Sequence, residues 1–364
     1  MKLVYVLENY FPNIGGVETL FKTLIETLAT QGHQITIITS KVAPNLPLKE
    51  KNGNIQIIRI PFNNRYLFTF LGIFYVLPYT RRADLIHTTS YNAAIPAFLA
   101  AKIFSKKVII TFHEVWSDLW FRLPYMGKIS KYAHFLFEYF LLKLPFHQFI
   151  GVSKSTSKNL IKAGIDPQKV KTIYNGINYA EFQTTPRNLN VEDNCFTFTY
   201  FGRLGISKGL DLLTEAASSI LKKHPKIRLQ LIVPKTPYSF LKKIEDAKSQ
   251  YKLGNQLVFR HHLPFEELKK ALVSSDCVVI PSYSEGFCFS AVEAIALGVP
   301  VISSDQTALK EVVSGKFIKM KQLSSEGIIG AMEQAIRGEW QVSPIKKFHL
   351  QHTVEQYQML YQEL

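Results

Sequence analysis

Residues 277–303 carry the clearest structural pattern of the chain: Cys277-Val-Val-Ile-Pro281-Ser-Tyr-Ser-Glu285-Gly-Phe-Cys-Phe-Ser-Ala-Val-Glu293-Ala-Ile-Ala-Leu-Gly298-Val-Pro-Val-Ile-Ser303. The apolar runs Cys277–Ile280 and Val299–Ser303 predict two strands, and Phe289–Leu297 predicts a helix between them. A strand followed by a helix and a second strand is the repeating unit of a parallel sheet. In such sheets ligands bind at the carboxyl ends of the strands, and here that end is the loop 281–288.

The same alternation extends in both directions along the chain. Residues 1–163 contain six strand-like and four helix-like stretches, and residues 171–177 add one more strand. The pattern restarts at Phe196 with five further strand-like and four helix-like stretches. The segment Glu181–Asn194 is polar, lacks periodicity and contains Pro186, which is typical of a linker. We therefore predict an α/β protein with two doubly wound Rossmann-like domains, 1–180 and 196–345, joined by a linker at 181–195.

The last segment, 346–364, is predicted to be a helix that packs back towards the N-terminal domain. Val354, Tyr357, Leu360 and Tyr361 are spaced to share one helical face. With two doubly wound domains, a cleft between them is the expected ligand site.

The net charge of +15 is concentrated in the first half of the chain. Residues 1–180 hold 21 Lys and Arg against nine Asp and Glu, whereas residues 181–364 hold 22 against 19. This asymmetry favours an anionic partner for the first domain: a membrane surface, a phosphorylated acceptor or a nucleic acid. A solvated basic face is the alternative interpretation.

Other features of the sequence bear on cellular location and membrane contact. Three scattered cysteines, Cys195, Cys277 and Cys288, form neither a disulfide framework nor a metal-ligand pair, which favours a reducing, cytoplasmic location. The apolar stretch Tyr66–Pro78 is too short to cross a bilayer. It and the aromatic-rich stretch Lys131–Phe149 are predicted either to lie in the core or to contact a membrane surface.

Two glutamates in the opening segment can bind a ligand. Glu285 precedes the predicted helix and Glu293 lies inside it, so each is able to accept hydrogen bonds from vicinal hydroxyls such as those of a hexose or a ribose. Gly286 permits close backbone approach, and the amides of residues 287–290 lie at the helix start, where anionic or hydroxyl-rich ligands bind well. The alternative is that Glu285 caps the helix and Glu293 is a solvated residue.

Taken with other motifs, this segment resembles the E-x7-E signature of glycosyltransferase family 4. Similar motifs occur in the family's order along residues 2–313: Gly15-Gly16-Val17-Glu18, Ile150-Gly-Val-Ser153, Tyr174-Asn-Gly-Ile177, Gly202-Arg203-Leu-Gly-Ile-Ser-Lys208-Gly209 and Ser304-Asp305. The resemblance implies a GT-B fold, with the two domains facing each other across a cleft. It also implies a retaining transferase that uses a UDP- or GDP-sugar as donor and a glycan or lipid-linked molecule as acceptor.

The resemblance assigns roles to individual residues. It implies catalytic roles for His113, Glu285, Arg203 and Lys208, with His113 facing the transferred sugar as part of a T-x-H segment. Donor binding is implied for Gly15, Gly16, Gly286, Phe287, Cys288, Phe289 and Glu293 as well as for Glu285, Arg203 and Lys208. Glu285 is expected to hold the transferred sugar and Glu293 the ribose. Retention by front-face attack is likewise implied by the resemblance, with double displacement as the alternative.

Metal dependence is not expected, and no cofactor is predicted. The D-x-D motif with which many transferases hold a cation is absent from the sequence, and His113-Glu-Val-Trp-Ser is not a zinc motif. Positive charge for a departing diphosphate is therefore expected from Arg203 and Lys208.

Three rival functions remain at this point. A GT-B sugar-nucleotide epimerase would share the fold and convert its donor without an acceptor. A nucleic-acid-binding protein would explain the basic charge, but none of the usual binding motifs occurs and no nucleic acid is expected as partner. A catalytically inactive sugar-nucleotide-binding protein is disfavoured because both glutamates, Arg203 and Lys208 are present.

Overall fold

A computed structural model of the protein describes residues 1–13, 15–183 and 195–364, which form two structural units. The first unit comprises Met1–Phe121, Lys128–Gly176 and His349–Leu364. The second comprises Arg122–Gly127 and Ile177–Phe348.

An eight-stranded sheet forms the centre of the first unit. Its strands are β1 (Lys2–Val6), β2 (Gln34–Ser40), β3 (Lys49–Asn52), β4 (Ile55–Ile60), β5 (Leu85–Thr89), β6 (Lys107–Phe112), β7 (Gln148–Gly151) and β8 (Val170–Thr172). They lie in the order β3-β4-β2-β1-β5-β6-β7-β8, and all neighbours are parallel except β3, which is antiparallel to β4. Runs of buried β-branched residues such as Ile35, Ile37 and Ile38 are typical of a parallel sheet that is covered on both faces.

Helices cover both faces of this sheet. They are α1 (Gly16–Thr30), α2 (Arg65–Leu71), α3 (Ile73–Thr80), α4 (Ala94–Ile103), α5 (Lys128–Leu142) and α6 (Lys154–Lys162). One core cluster joins Phe68 of α2, Phe98 of α4 and Leu141 of α5 to strand residues, so these helices share a face. Phe21 and Leu24 of α1 belong to a second cluster on the other face.

The second unit repeats the plan with seven strands. They are β9 (Phe196–Phe201), β10 (Ile227–Ile232), β11 (Leu257–Arg260), β12 (Cys277–Ile280), β13 (Val301–Ser303), β14 (Gly315–Lys319) and β15 (Gln341–Ser343), in the order β11-β10-β9-β12-β13-β14-β15. Only β15 is antiparallel to its neighbour among these described strands. The helices are α7 (Leu210–Lys223), α8 (Tyr238–Gln250), α9 (Phe265–Val273), α10 (Phe289–Ala296), α11 (Leu309–Val312) and α12 (Ser325–Ile336).

The C-terminal helix α13 (Leu350–Glu363) belongs to the first unit. Val354, Tyr357, Leu360 and Tyr361 are all buried in the core cluster that contains α1. The Tyr361 hydroxyl lies 2.6 Å from His87 Nδ1 and 2.9 Å from the Tyr5 hydroxyl, which satisfies polar groups that burial would otherwise leave unpaired.

The unit boundaries differ in detail from the sequence prediction. The first unit ends at Gly176 rather than at residue 180, and its closing segment begins at His349 rather than at residue 346. A side chain at Gly176 would meet the backbone of His349 and Leu350 at 2.5 Å, a contact between distant chain segments that local patterns do not encode. Of the predicted linker 181–195, residues 184–194 lie outside the described part of the chain.

Several elements were not predicted. Strand β3 is a polar edge strand, Lys49-Glu-Lys-Asn, and has no alternating apolar residues. Elements β14, α12 and β15 follow the last motif and were also missed. The apolar stretch Tyr66–Pro78 forms the two short helices α2 and α3, which meet at Gly72.

The α/β class predicted from the sequence, with two doubly wound Rossmann-like domains, is confirmed. In the described part of the chain, no helix combines the length and apolar character that crossing a bilayer requires.

Candidate functional site

An ion pair between a half-buried lysine and a buried glutamate lies at the strand ends of the second unit. Lys208 Nζ donates to both carboxylate oxygens of Glu285 at 2.8 Å, and Ser282 Oγ donates to Oε1 at 2.7 Å. Glu285 is only 7% exposed. Lys208 follows β9 and Glu285 follows β12, and these strands are parallel neighbours whose carboxyl ends share one edge of the sheet. The structure therefore brings together two predicted residues that are 77 positions apart.

The backbone of Glu285 is held by a third loop. Thr307 Oγ1 accepts a hydrogen bond from the Glu285 amide at 2.8 Å and lies 2.8 Å from the Glu285 carbonyl. Thr307 follows β13, the next strand in the sheet. Sequence reasoning missed Ser282 and Thr307, although both lie in loops at the strand ends where ligand sites form.

Arg203 occupies the same loop as Lys208 but does not join the ion pair. Its side chain is exposed, and its carbonyl accepts a hydrogen bond from the Tyr200 hydroxyl at 3.0 Å. The ion pairs found among the described residues include none with Arg203. Its guanidinium thus remains at the surface of the loop.

Close backbone packing fixes this loop. Gly209 has φ +66°, and a side chain there would lie 2.0 Å from the carbonyl oxygen of Pro281, the residue that opens the Glu285 loop. Only glycine fits such a position without strain. The loops that carry Lys208 and Glu285 therefore meet through backbone as well as through side chains.

The residues between the two glutamates serve different purposes. Phe287 is buried and packs edge-to-face against Phe289 and Phe348 at ring distances of 5.2 and 5.3 Å. Cys288 has a left-handed backbone, φ 76°, directly before α10, and burial raises the pKa of its thiol. These two side chains pack in the core, so a ligand would contact them through their backbone. Gly286 is buried beside them.

Glu293 lies in the second turn of α10 and is half-buried. Burial raises the pKa of its carboxyl from the ordinary value of 4.5 to about 7. A carboxylate that has lost hydration in this way binds hydroxyl donors favourably when a ligand supplies them.

The predicted residues of the first unit lie at its own strand ends. His113 follows β6, is half-buried and packs edge-to-face against Phe21 at 6.3 Å. Gly15 precedes α1 and Gly16 is its first residue. A side chain at Gly15 would meet Glu18 Oε2 at 2.4 Å, and Asn13 Nδ2 donates to Glu18 Oε1 at 3.0 Å. The carboxylate at this helix start favours hydroxyl groups over phosphate.

Among residues 1–13, 15–183 and 195–364, no group of three or more His, Cys, Asp and Glu side chains is arranged to hold a metal ion.

The raised pKa of Glu293 predicts a pH-dependent stability. Between pH 4.5 and 7 the folded carboxyl keeps a proton that the unfolded one has lost, so the free energy of unfolding falls as pH rises through this window. Glu293→Gln removes this dependence. Relative to that of the wild type, the free energy of unfolding of the variant should rise by up to about 3 kcal/mol between pH 5 and pH 8. Urea unfolding at both pH values measures this change.

Glu333→Gln is the matched control for this experiment. Lys223 donates to Glu333 and lowers the pKa of its carboxyl, so Glu333 stays ionised from pH 5 to pH 8. The difference in free energy of unfolding between Glu333→Gln and the wild type should stay constant across that range. If this difference is also constant for Glu293→Gln, the raised pKa of the Glu293 carboxyl is contradicted.

Two family models together match most of the chain. The model described as Glycosyltransferase Family 4 matches residues 14–181, and the model described as Glycosyl transferases group 1 matches residues 181–342. An uncharacterized glycosyltransferase of Methanocaldococcus jannaschii is 30% identical over 351 residues, which cover 86% of this chain and 83% of that protein. A phosphatidylinositol N-acetylglucosaminyltransferase subunit of Arabidopsis thaliana is 22% identical, with 92% of this chain and 74% of that protein covered.

Solved structures confirm the predicted GT-B fold. Sucrose-phosphate synthase from Thermosynechococcus elongatus has a TM-score of 0.81 at 19% identity, with 100% of this chain and 98% of that chain covered. Anabaena HepE, solved in complex with UDP and glucose, has a TM-score of 0.75 at 16% identity, with both chains covered completely. The two family models and the relative from Methanocaldococcus jannaschii show that the chain belongs to glycosyltransferase family 4 and is a glycosyltransferase.

Proposed function

We propose that the protein transfers a sugar from a UDP- or GDP-sugar to a glycan or lipid-linked acceptor, with retention of configuration and without a metal ion. The observation that carries this proposal is the ion pair of Lys208 with Glu285, because it places a cation and a hydroxyl acceptor side by side at the strand ends of one unit. A nucleotide-sugar needs both, a cation for its diphosphate and an acceptor for its sugar hydroxyls.

Each residue of this site has a role in the proposal. Glu285 accepts hydrogen bonds from the transferred sugar, and Glu293 accepts them from the ribose. Lys208 and the exposed Arg203 neutralise the diphosphate as the glycosidic bond breaks. The backbone of residues 286–289 lines the donor. The complex of HepE with UDP and glucose supports a nucleotide-sugar donor for this chain.

The ion pair also supports front-face transfer over double displacement. A carboxylate that accepts two hydrogen bonds from an ammonium group and one from a hydroxyl is a weakened nucleophile. Glu285 therefore suits sugar binding better than attack on the anomeric carbon. In front-face transfer the departing phosphate takes the proton of the acceptor hydroxyl, and no protein nucleophile is needed.

The acceptor is proposed to bind the first unit, with His113 beside the transferred sugar. The name of the Arabidopsis relative includes phosphatidylinositol, which supports a lipid-linked acceptor for this chain too. The proposal includes a cytoplasmic location with peripheral contact to an anionic membrane, in glycoconjugate or polysaccharide biosynthesis.

An exposed surface on α2 and α3 supports the membrane contact. Tyr66, Phe70 and Phe74 are 59%, 72% and 67% exposed and are spaced four residues apart, while Phe68 and Val76 of the same helices are buried. Arg65, Arg81 and Arg82 flank this aromatic face and are exposed. Aromatic side chains between arginines match the interface of a bilayer with anionic lipids.

The donor proposal predicts a specific effect of Lys208. A panel of UDP-, GDP- and ADP-sugars is incubated with the protein in EDTA, without acceptor, and nucleoside diphosphate release is measured. One donor should be hydrolysed slowly, with water as acceptor. Lys208→Ala should lower this rate about 100-fold, because a cation that stabilises the leaving group is worth ~3 kcal/mol in the barrier.

One control variant and two possible results decide between the rival functions. Lys223→Ala removes an exposed lysine of the same unit and should leave the rate unchanged. Equal rates in Lys208→Ala and wild type would defeat the site assignment. Conversion of the donor to an isomeric sugar nucleotide, without diphosphate release, would favour the epimerase.

The membrane proposal predicts flotation with anionic vesicles. The protein should float with phosphatidylglycerol vesicles at low salt and not with phosphatidylcholine vesicles. Phe70→Ser combined with Phe74→Ser should reduce the bound fraction at least about tenfold, since each inserted aromatic contributes roughly 1.5–3 kcal/mol of apolar burial. Tyr238→Ser, which removes a 64% exposed aromatic from the second unit, is the control and should bind like the wild type. Equal flotation of all three proteins would exclude the aromatic face.

A further inference from the structure

Glu138 is a buried carboxylate that the donor chemistry does not use. It lies in α5 and is only 1% exposed. Four donors converge on it: the Tyr91 hydroxyl and the Trp116 amide reach Oε1 at 2.8 Å each, and the Ser117 amide and Trp120 Nε1 reach Oε2 at 2.6 and 3.0 Å. Two donors per oxygen compensate the carboxylate for the hydration that it has lost.

These donors come from two loops at the ligand-binding edge of the first sheet. Tyr91 follows β5, and residues 113–121 follow β6, beginning with His113. Strands β5 and β6 are parallel neighbours in register from Leu85 and Lys107 to Thr89 and Thr111, so both loops leave the same edge of the sheet. One side chain of α5 therefore joins two adjacent loops where acceptor binding is proposed.

Both loops contain a strained residue that Glu138 holds. Tyr91 has φ 82° and Ser117 has φ 44°, in a left-handed region that side chains other than glycine adopt rarely. Such conformations persist when surrounding contacts impose them, and they concentrate at functional sites. Glu138 binds the Tyr91 hydroxyl and the Ser117 amide directly.

We propose that Glu138 is a positioning residue for catalysis: it fixes the loop 113–121, and with it His113, relative to the Tyr91 loop. This inference rests on the proposed function, in which His113 lies beside the transferred sugar. A glutamine cannot replace it, because only one of its two terminal groups is an acceptor oxygen. The other is an NH2 group, which would face two hydrogen-bond donors and leave both unpaired. The carboxylate is required because every one of its four partners donates.

Hydrogen exchange tests the positioning directly, without any substrate. In Glu138→Gln the amides of the peptide 113–121 should exchange at least about tenfold faster than in the wild type, because unsatisfied donors release the loop. Leu142→Ala is the matched control: it leaves a cavity in the same helix and lowers stability, but leaves the Glu138 contacts in place. Its 113–121 peptide should exchange like the wild type. Unchanged exchange in Glu138→Gln would overturn the inference.

Kinetics then separates positioning from stability. With the donor found active, Glu138→Gln should lower kcat about 100-fold, the loss expected for a misplaced catalytic group. KM for the donor should stay within about twofold, because the residues proposed to hold its ribose and diphosphate, Glu293, Lys208 and Arg203, belong to the second unit. Leu142→Ala should keep the wild-type kcat per folded molecule. Faster loop exchange with an unchanged kcat in Glu138→Gln would overturn the positioning role. A wild type that turns over no donor defeats the proposed function instead, and exchange alone then decides whether Glu138 holds the loop.

Discussion

The ion pair of Lys208 with Glu285 is the constraint on which the second unit's site depends. Removing a carboxylate and an ammonium from water is unfavourable, and their mutual attraction offsets this only with good geometry and further hydrogen bonds. Both are present, since Lys208 reaches both oxygens and Ser282 adds a third contact. Thr307 and the contact of Gly209 with Pro281 then fix the backbone around the pair. Loops from three neighbouring strands are thus held in one arrangement before any ligand arrives, which is the condition for electrostatic catalysis.

The first unit uses the same physical device for a different purpose. Glu138, like Glu285, is a buried carboxylate whose oxygens are occupied by donors from loops at the strand ends. Glu285 is proposed to contact substrate, whereas Glu138 is enclosed and acts through its loops. The aromatic face of α2 and α3 adds an exposed apolar surface to the same unit. Loops tied by buried hydrogen bonds and an exposed aromatic face together suit the proposed acceptor, whose sugar is polar and whose anchor is a lipid.

Much of the fold and part of the site follow from sequence patterns, and the remainder does not for identifiable reasons. Alternating apolar strands and amphipathic helices predicted both sheets, and the spacing of Val354, Tyr357, Leu360 and Tyr361 predicted the buried face of α13. Strand β3 was missed because Lys49-Glu-Lys-Asn has no apolar residue to pack. Glu138 was missed because a lone glutamate in a helix is normally solvated, and two of its partners lie 47 and 18 positions away. Motif resemblance singled out Lys208 and Glu285 as candidates, and only the structure shows that they contact each other.

Calorimetry tests the central claim most directly. Wild type and Glu285→Gln are compared, in EDTA, for their binding of the active nucleotide-sugar and of its nucleoside diphosphate. If Lys208 serves the diphosphate and Glu285 the sugar, the variant binds the diphosphate at least as tightly as the wild type, because the cation no longer shares its charge with a carboxylate. It also loses the additional affinity that the sugar provides. A variant that keeps this sugar-dependent gain, or that loses affinity for both ligands equally, would contradict the division of roles between Lys208 and Glu285.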